Sequence, residues 1–250
     1  MSTNTMPTNM PAPPHDRNAP AAACAETLMH LLAFTDSAFP VGAFSFSNGL
    51  ETAAEEGLVH DAASLEAYTH EIVRQAAFTD GIAALHAYRG RLHDDYEAVR
   101  EADCAAIRCK LNAEARQMTR RMGKRLAELA QRILPDPTAA RWLAEIGEER
   151  TPGTYPAAQG LLFAACGIPE RALFCAHRYG AANTVLGAAL RCVRVSHYDT
   201  QRILFRLAAT AEATYDEVRD MTLDEMHAFA PQIDILASLH EKGVKRMFMN

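Results

Sequence analysis

Residues that could perform chemistry are common in this chain, but none of them has the spacing of a familiar catalytic or metal-binding motif. The six cysteines include no Cys-x-x-Cys pair, and the ten histidines include no His-Glu-x-x-His. Neither the Gly-x-x-x-x-Gly-Lys-Ser/Thr loop that binds nucleotide phosphates nor the Gly-x-Ser-x-Gly turn of serine hydrolases occurs. Ser196-His197 is explained most simply as a helix-capping serine followed by an exposed histidine. The sequence therefore predicts no catalytic residue, no metal site and no cofactor, which favours a scaffold or binding protein.

A candidate binding surface is a run of basic residues on the helix face opposite an apolar stripe. They are Arg116, Arg120, Arg121, Lys124, Arg125 and Arg132. Because Glu114 and Glu128 are close in sequence, a solvated helix face with charge pairs accounts for the run. The alternative is an interface for an acidic partner, and the sequence leaves both interpretations open.

The stretch 39–51 is the part of the chain that a regular helix cannot contain. Pro40 lacks a backbone donor and Gly42 tolerates a positive φ, so the preceding helix is expected to end here. Phe44 and Phe46 lie within the predicted turn, and we expect both rings to be buried. They would either staple two helices together or contribute to a partner-binding site.

The elements around these candidates are predicted to be helices. From residue 25 onward, apolar residues recur at helical spacing, as Leu65, Ile72 and Val73 do after a capping Asp61. Strand alternation and internal repeats are not visible. We predict an all-α fold, with residues 25–250 forming a single compact domain of about eight to ten packed helices. Residues 1–24, rich in proline and small polar residues, are predicted to be a disordered tail.

Composition narrows the function further. Hydrophobic residues make up 49% and charged residues 22% of the 250 residues, as in ordinary globular proteins. A net charge of −6 argues against a nucleic-acid partner, which needs a clustered basic surface. No apolar run approaches the roughly 18 residues of a membrane span, and the N-terminus lacks the order of a signal peptide. We therefore expect a cytoplasmic protein without membrane contact, and we expect most of its cysteines to be small buried residues.

Residues 40–51 resemble the hallmark of the UreF family of urease accessory proteins, which is close to Pro-Val-Gly-Gly-Phe-Ser-Tyr-Ser-x-Gly-Leu-Glu. Further similarities follow in the family's order. Met122-Gly123 resembles its Met-Gly-x-x-Leu helix, and residues 155–169 resemble its alanine-rich helix and stop. Residues 201–204 are similar to part of its Gln-rich segment, and residues 240–248 resemble its His-Glu-x-x-x-x-Arg-Leu-Phe tail. The resemblance covers residues 26 to 250.

The resemblance implies a non-catalytic maturation factor that is all-α and homodimeric. It would bind the accessory protein UreD, also called UreH, and recruit the GTPase UreG, so that the complex delivers nickel to apo-urease. The chain would act as a scaffold that couples GTP-dependent switching to nickel release. One alternative is a GTPase-activating protein that inserts Arg191 or Arg246 into the UreG site. Another is a nickel-binding chaperone that uses His and Cys residues from separate helices.

The same resemblance places the candidate partner-binding residues in the opening stretch, before the Gln201 helix and in the C-terminal tail. They are Phe44, Phe46, Arg191, His240, Glu241, Arg246 and Phe248. A structural role is the alternative for Arg246, since a single arginine often caps a helix or pairs with a carboxylate.

Several positions depart from the family pattern. Phe46 stands where tyrosine is usual, which removes a hydroxyl that could bond a partner or the backbone. Residues 194–197 and Thr200 replace a segment in which Pro and Gly are frequent, so this chain must make its turn differently. The resemblance thus predicts an altered UreG-facing geometry in this region. Gly243-Val244 replaces tail residues that usually include an aromatic.

Overall fold

A computed structural model describes residues 24–241 and 246–249, and these residues form helices and loops without a β-strand. The helices are α1 (Ala25–Thr35), α2 (Leu50–Glu55), α3 (Ala62–Ala76), α4 (Ile82–Leu92), α5 (Tyr96–Arg108), α6 (Ala113–Ile133), α7 (Thr138–Gly147), α8 (Tyr155–Ala165), α9 (Glu170–Cys192), α10 (His197–Ala208), α11 (Ala211–Val218) and α12 (Pro231–His240). The all-α prediction is confirmed. The predicted tail, except Cys24, and Gly243-Val244 lie outside the described residues.

Side chains begin several of these helices as the sequence predicts. Asp61 accepts a hydrogen bond from the Ser64 N–H at 2.8 Å and starts α3 with a reciprocal capping box. Ser196 does the same for α10 with Asp199, and His197 is exposed, so this Ser-His pair is a helix cap. The Ser196 cap also shows how the chain turns where the family pattern has Pro and Gly.

Apolar spacing in the sequence predicts separate helices over residues 61–78 and 80–92, but the structure has a continuous helical path there. The segment Ala77–Gly81 is π-helical and joins α3 directly to α4. A π-helical turn inserts an extra residue per turn, so apolar spacing shifts without the chain leaving the helix. This shift in apolar spacing is what makes the sequence pattern resemble the end of one helix and the beginning of another.

The first core surrounds α8, whose residues from Pro156 to Ala164 are all buried. Close backbone approach explains its glycine: a Cβ on Gly160 would lie 2.3 Å from the Ala84 carbonyl oxygen of α4. A Cβ on Gly123 of α6 would likewise lie 2.2 Å from the Gly153 carbonyl oxygen. Side chains larger than hydrogen are excluded at both positions, which accounts for two of the glycines in the family-like motifs.

A second core joins α2, α3, α9, α10 and α12, with Leu50, Leu65 and Val185 at its centre. The long helix α9 serves both cores, since its first half contributes Leu173 and Phe174 to the core around α8. The helices therefore pack as one compact arrangement. No helix within the described ranges is long and apolar enough to cross a membrane.

The expectation that most cysteines are buried is wrong. Cys24 and Cys175 are exposed, and the other four are only half-buried, all with free thiols. Three of those four, Cys109, Cys166 and Cys192, lie at the last residue or C-cap of a helix. Helix ends lie at the edge of the packed layers, so their side chains reach the core less completely.

Candidate functional site

The opening loop, residues 39–49, lies between α1 and α2 and contains two positive-φ glycines. Gly42 (φ 89°) precedes a three-residue 3₁₀ turn, and Gly49 (φ 77°) precedes α2. A Cβ on Gly49 would lie 3.1 Å from both the Ala237 nitrogen and the Tyr68 hydroxyl. Both the backbone conformation and the close packing against α12 therefore require glycine at position 49.

The two phenylalanines of this loop have opposite environments. Phe46 is in an extended conformation after the 3₁₀ turn and is 5% exposed, whereas Phe44 lies within the turn and is 75% exposed. The prediction that both rings are buried is wrong for Phe44, because the 3₁₀ turn directs it away from the interior. A tyrosine hydroxyl at position 46 would start from a buried ring, so the Phe46 substitution affects the interior rather than an exposed surface.

Arg191, near the end of α9, supports the exposed ring. Its guanidinium carbon lies 4.2 Å from the centroid of the Phe44 ring and 4.0 Å from that of Phe248. The same guanidinium donates a hydrogen bond to the Phe44 carbonyl oxygen at 3.1 Å. Cation–π contacts of this kind contribute about 0.5–1 kcal/mol each at exposed sites. Arg191 therefore fixes the opening loop against the end of the chain.

The C-terminal segment, residues 246–249, runs along the opening loop. The Met249 N–H donates to the Ser45 carbonyl oxygen at 2.7 Å, and the Phe248 side chain is buried. Met247 and Met249 remain 59% and 45% exposed. The end of the chain is thus packed on the loop through one buried ring, while its neighbours face outward.

Glu51, in the first turn of α2, is the buried carboxylate that holds this segment. It accepts hydrogen bonds from the Met247 N–H at 2.7 Å and the Phe248 N–H at 3.1 Å. The Nε2 atom of His240 lies 2.9 Å from the same carboxylate. Burial alone would raise the pKa of Glu51, but these donors stabilise the ionised form and together hold the pKa below its ordinary value.

A second carboxylate, Glu114 of α6, faces the other nitrogen of the His240 ring. It lies 3.1 Å from Nδ1 of His240 and accepts a hydrogen bond from Arg246 at 2.7 Å. A neutral imidazole has one N–H, so only the protonated ring donates to both Glu51 and Glu114. The His240 ring thus lies between two carboxylates, one of which also pairs with Arg246. The structural alternative for Arg246, pairing with a carboxylate, is what the structure contains.

Glu241 makes different contacts from its neighbour His240. One of its carboxylate oxygens accepts the N–H groups of Ala113 at 2.8 Å and Glu114 at 3.0 Å. These donors lie in the first turn of α6, where backbone N–H groups lack helical partners. Glu241 therefore ties the end of α12 to the beginning of α6.

The structure brings all seven predicted partner-binding residues to one region. Contacts around the C-terminal segment involve four of them, namely Arg191, His240, Arg246 and Phe248. Glu241 instead bonds to the beginning of α6, and Phe46 is buried in the opening loop. The exposed members are Phe44, Arg191 and Arg246. Sequence reasoning missed Glu51 and Glu114 as functional residues, although Glu51 closes the opening motif. Within the described ranges, no three His, Cys, Asp or Glu residues are placed to hold a metal ion.

Acid is expected to release the C-terminal segment. The lowered pKa of Glu51 means that its contribution is complete above the unfolded value of about 4.3 and disappears as the pH falls through the lower folded value. We expect the amide resonances of Met247 and Phe248 to shift as the pH falls below about 4. In a Glu51→Gln variant these amides should show no such titration. Unchanged resonances at pH 3 in a still-folded wild-type chain would contradict the assignment.

Comparisons with known proteins agree with one another. A sequence model of the UreF family matches residues 59–208. Urease accessory protein UreF 2 of Brucella canis is 49% identical over 223 residues, which is 89% of this chain and 92% of the relative. Urease accessory protein UreF of Yersinia pseudotuberculosis is 41% identical over 226 residues, covering 90% of this chain and 99% of the relative.

Proposed function

The chain belongs to the UreF family of urease accessory proteins, and from this premise we propose that it is the scaffold that joins UreD and UreG to apo-urease. A role in urease maturation follows from the family. The proposal adds the partners, namely UreD, UreG and apo-urease, and a homodimeric chain acting in the cytoplasm. Nickel is the cargo that the assembled complex would deliver.

The observation that carries the proposal is the exposed aromatic ring of Phe44. A phenylalanine in water is unfavourable, yet this one is held in a fixed position by Arg191 and the docked C-terminal segment. Aromatic residues fixed in this way are common anchors of protein interfaces. Met247 and Met249 extend the apolar surface beside it, and methionine adapts readily to a partner.

A scaffold accounts for the two arginines better than a GTPase-activating role does. An arginine finger must extend its guanidinium into the partner's phosphate site. Arg191 instead donates to a backbone carbonyl beneath Phe44, and Arg246 pairs with Glu114. Both guanidiniums bond to groups of this same chain, and these contacts stabilise the surface around Phe44.

Co-expression with UreD tests the proposal through two variants. Deleting residues 240–250 should abolish copurification of UreD, because the docked segment and its support for Phe44 are lost. Phe44→Ala makes no cavity and removes only one cation–π contact, so it should lower the melting temperature by no more than about 4 °C. It should weaken UreD capture about tenfold or more. Tyr198→Ala on α10 is the matched control, since that ring is 83% exposed and lies outside the site.

Wild-type capture of UreD by both the Phe44→Ala variant and the truncated chain would contradict the proposed surface. Loss of capture by the Tyr198→Ala control to the same extent would show that any exposed aromatic suffices, and would also contradict it.

A further inference from the structure

We propose that the basic face of α6 is a docking surface for an acidic segment of a partner protein. The basic face consists of Arg120, Arg121, Lys124, Arg125 and Arg132, all of which are exposed. The inference rests on the proposed function in one respect, because the acidic partner is taken to be a member of the maturation complex. It extends the proposed function by assigning one contact with the partner to basic side chains of α6 and carboxylates of the partner.

The carboxylates that could neutralise this face are mostly engaged elsewhere. Glu114 is committed to His240 and Arg246, and Glu128 pairs with Arg125 at 3.4 Å. In the part of the chain that the structure describes, the other four basic residues of the face form no ion pair with a carboxylate; they are Arg120, Arg121, Lys124 and Arg132. The simple explanation by charge pairing along the helix therefore covers only Arg125.

An unpaired cluster of like charges lowers the stability of its own helix. Arg120 and Lys124 are separated by four residues, and like charges at this spacing disfavour a helix. The chain as a whole has a net charge of −6, so the cluster does not follow from a generally basic composition. A segment rich in Asp and Glu would relieve the repulsion on binding, and charge complementarity identifies it as the occupant.

The basic face is continuous with the surface around Phe44. A terminal guanidinium nitrogen of Arg121 lies 4.0 Å from the sulfur of Met249, and Arg125 donates to the Pro40 carbonyl oxygen at 3.4 Å. The apolar residues of the candidate site thus border directly on the cationic helix. An acidic segment that also carries apolar residues could contact both parts, with the apolar residues on Phe44 and the carboxylates along α6.

Charge reversal tests the inference in the complex itself. An Arg120→Glu/Lys124→Glu variant of the full chain is co-expressed with UreD and UreG, and capture is measured at low and high salt. We expect capture to fall about tenfold or more near 0.05 M salt, and the difference from wild type to shrink near 0.5 M salt as screening increases. The control is Arg108→Glu/Arg171→Glu, which changes net charge equally at exposed residues of α5 and α9. That control should capture its partners like the wild type.

The outcomes separate this inference from the proposed function. Wild-type capture and salt dependence in the Arg120→Glu/Lys124→Glu variant would overturn the docking surface, while leaving the role in maturation intact. Absence of any complex with the wild-type chain would overturn the proposed function and, with it, the partner assumed here. Nucleic acid that copurifies with the wild type and is lost in the variant would assign the basic face to another class of ligand and overturn the inference.

Discussion

Replacing Glu51 with leucine is expected to release the C-terminal segment and abolish capture of UreD. The carboxylate accepts two backbone N–H groups of that segment and faces the His240 ring. Leucine fills a similar volume but leaves all three donors without an acceptor. It also leaves His240 and Arg246 facing Glu114 alone. Removing one member of such a buried polar cluster lowers the free energy of unfolding by about 3–5 kcal/mol.

Two measurements check this expectation. Chemical denaturation gives the loss of stability, and copurification with UreD gives the loss of binding. Glu55→Leu is the matched control, because Glu55 lies on the same short helix and is exposed. A Glu51→Leu variant that captures UreD as the wild type does would show that the docked segment is not needed for the partner surface.

A comparably large effect on stability is expected from Asp103→Ala, away from the candidate site. The Asp103 carboxylate is completely buried and accepts hydrogen bonds from the Gly153 N–H at 2.6 Å and the Thr154 N–H at 2.7 Å. It also accepts the hydroxyl groups of Thr151, at 2.5 Å, and of Thr154. These four donors form the turn that leads into α8, the central helix of the first core.

Alanine at position 103 would leave four buried donors unsatisfied, so we expect the free energy of unfolding to fall by about 3–5 kcal/mol. Glu101→Ala is the control on the same helix, since Glu101 is exposed. Denaturant titration of both variants measures the difference. A loss below about 1 kcal/mol for Asp103→Ala would mean that the turn before α8 has another source of stability.

Local signals in the sequence predicted the helical elements well. The cap at Asp61 and the end of α1 before Pro40 depend on neighbouring residues alone, and the structure contains both. The π-helical segment Ala77–Gly81 was missed because its effect is a one-residue shift in spacing, which resembles a break. Periodicity therefore identifies where helices lie more reliably than how they join.

Only part of the candidate site could be predicted from the sequence. Resemblance to the UreF family supplied the opening motif and the tail, which the structure places against each other. The roles of Glu51 and Glu114 depend on pairing with residues more than a hundred positions away, and no local pattern encodes that pairing. The exposure of Phe44 was also missed, because the direction of its side chain depends on a 3₁₀ turn rather than on hydrophobicity.

The most direct measurement is the nickel content of urease purified from a host whose own UreF gene has been deleted and replaced by this chain. The proposed scaffold role predicts that the full chain restores nickel to the level reached with the host's own UreF, and that the Glu51→Leu variant does not. Urease that remains without nickel, although the full chain is folded and present with UreD and UreG, would contradict that role.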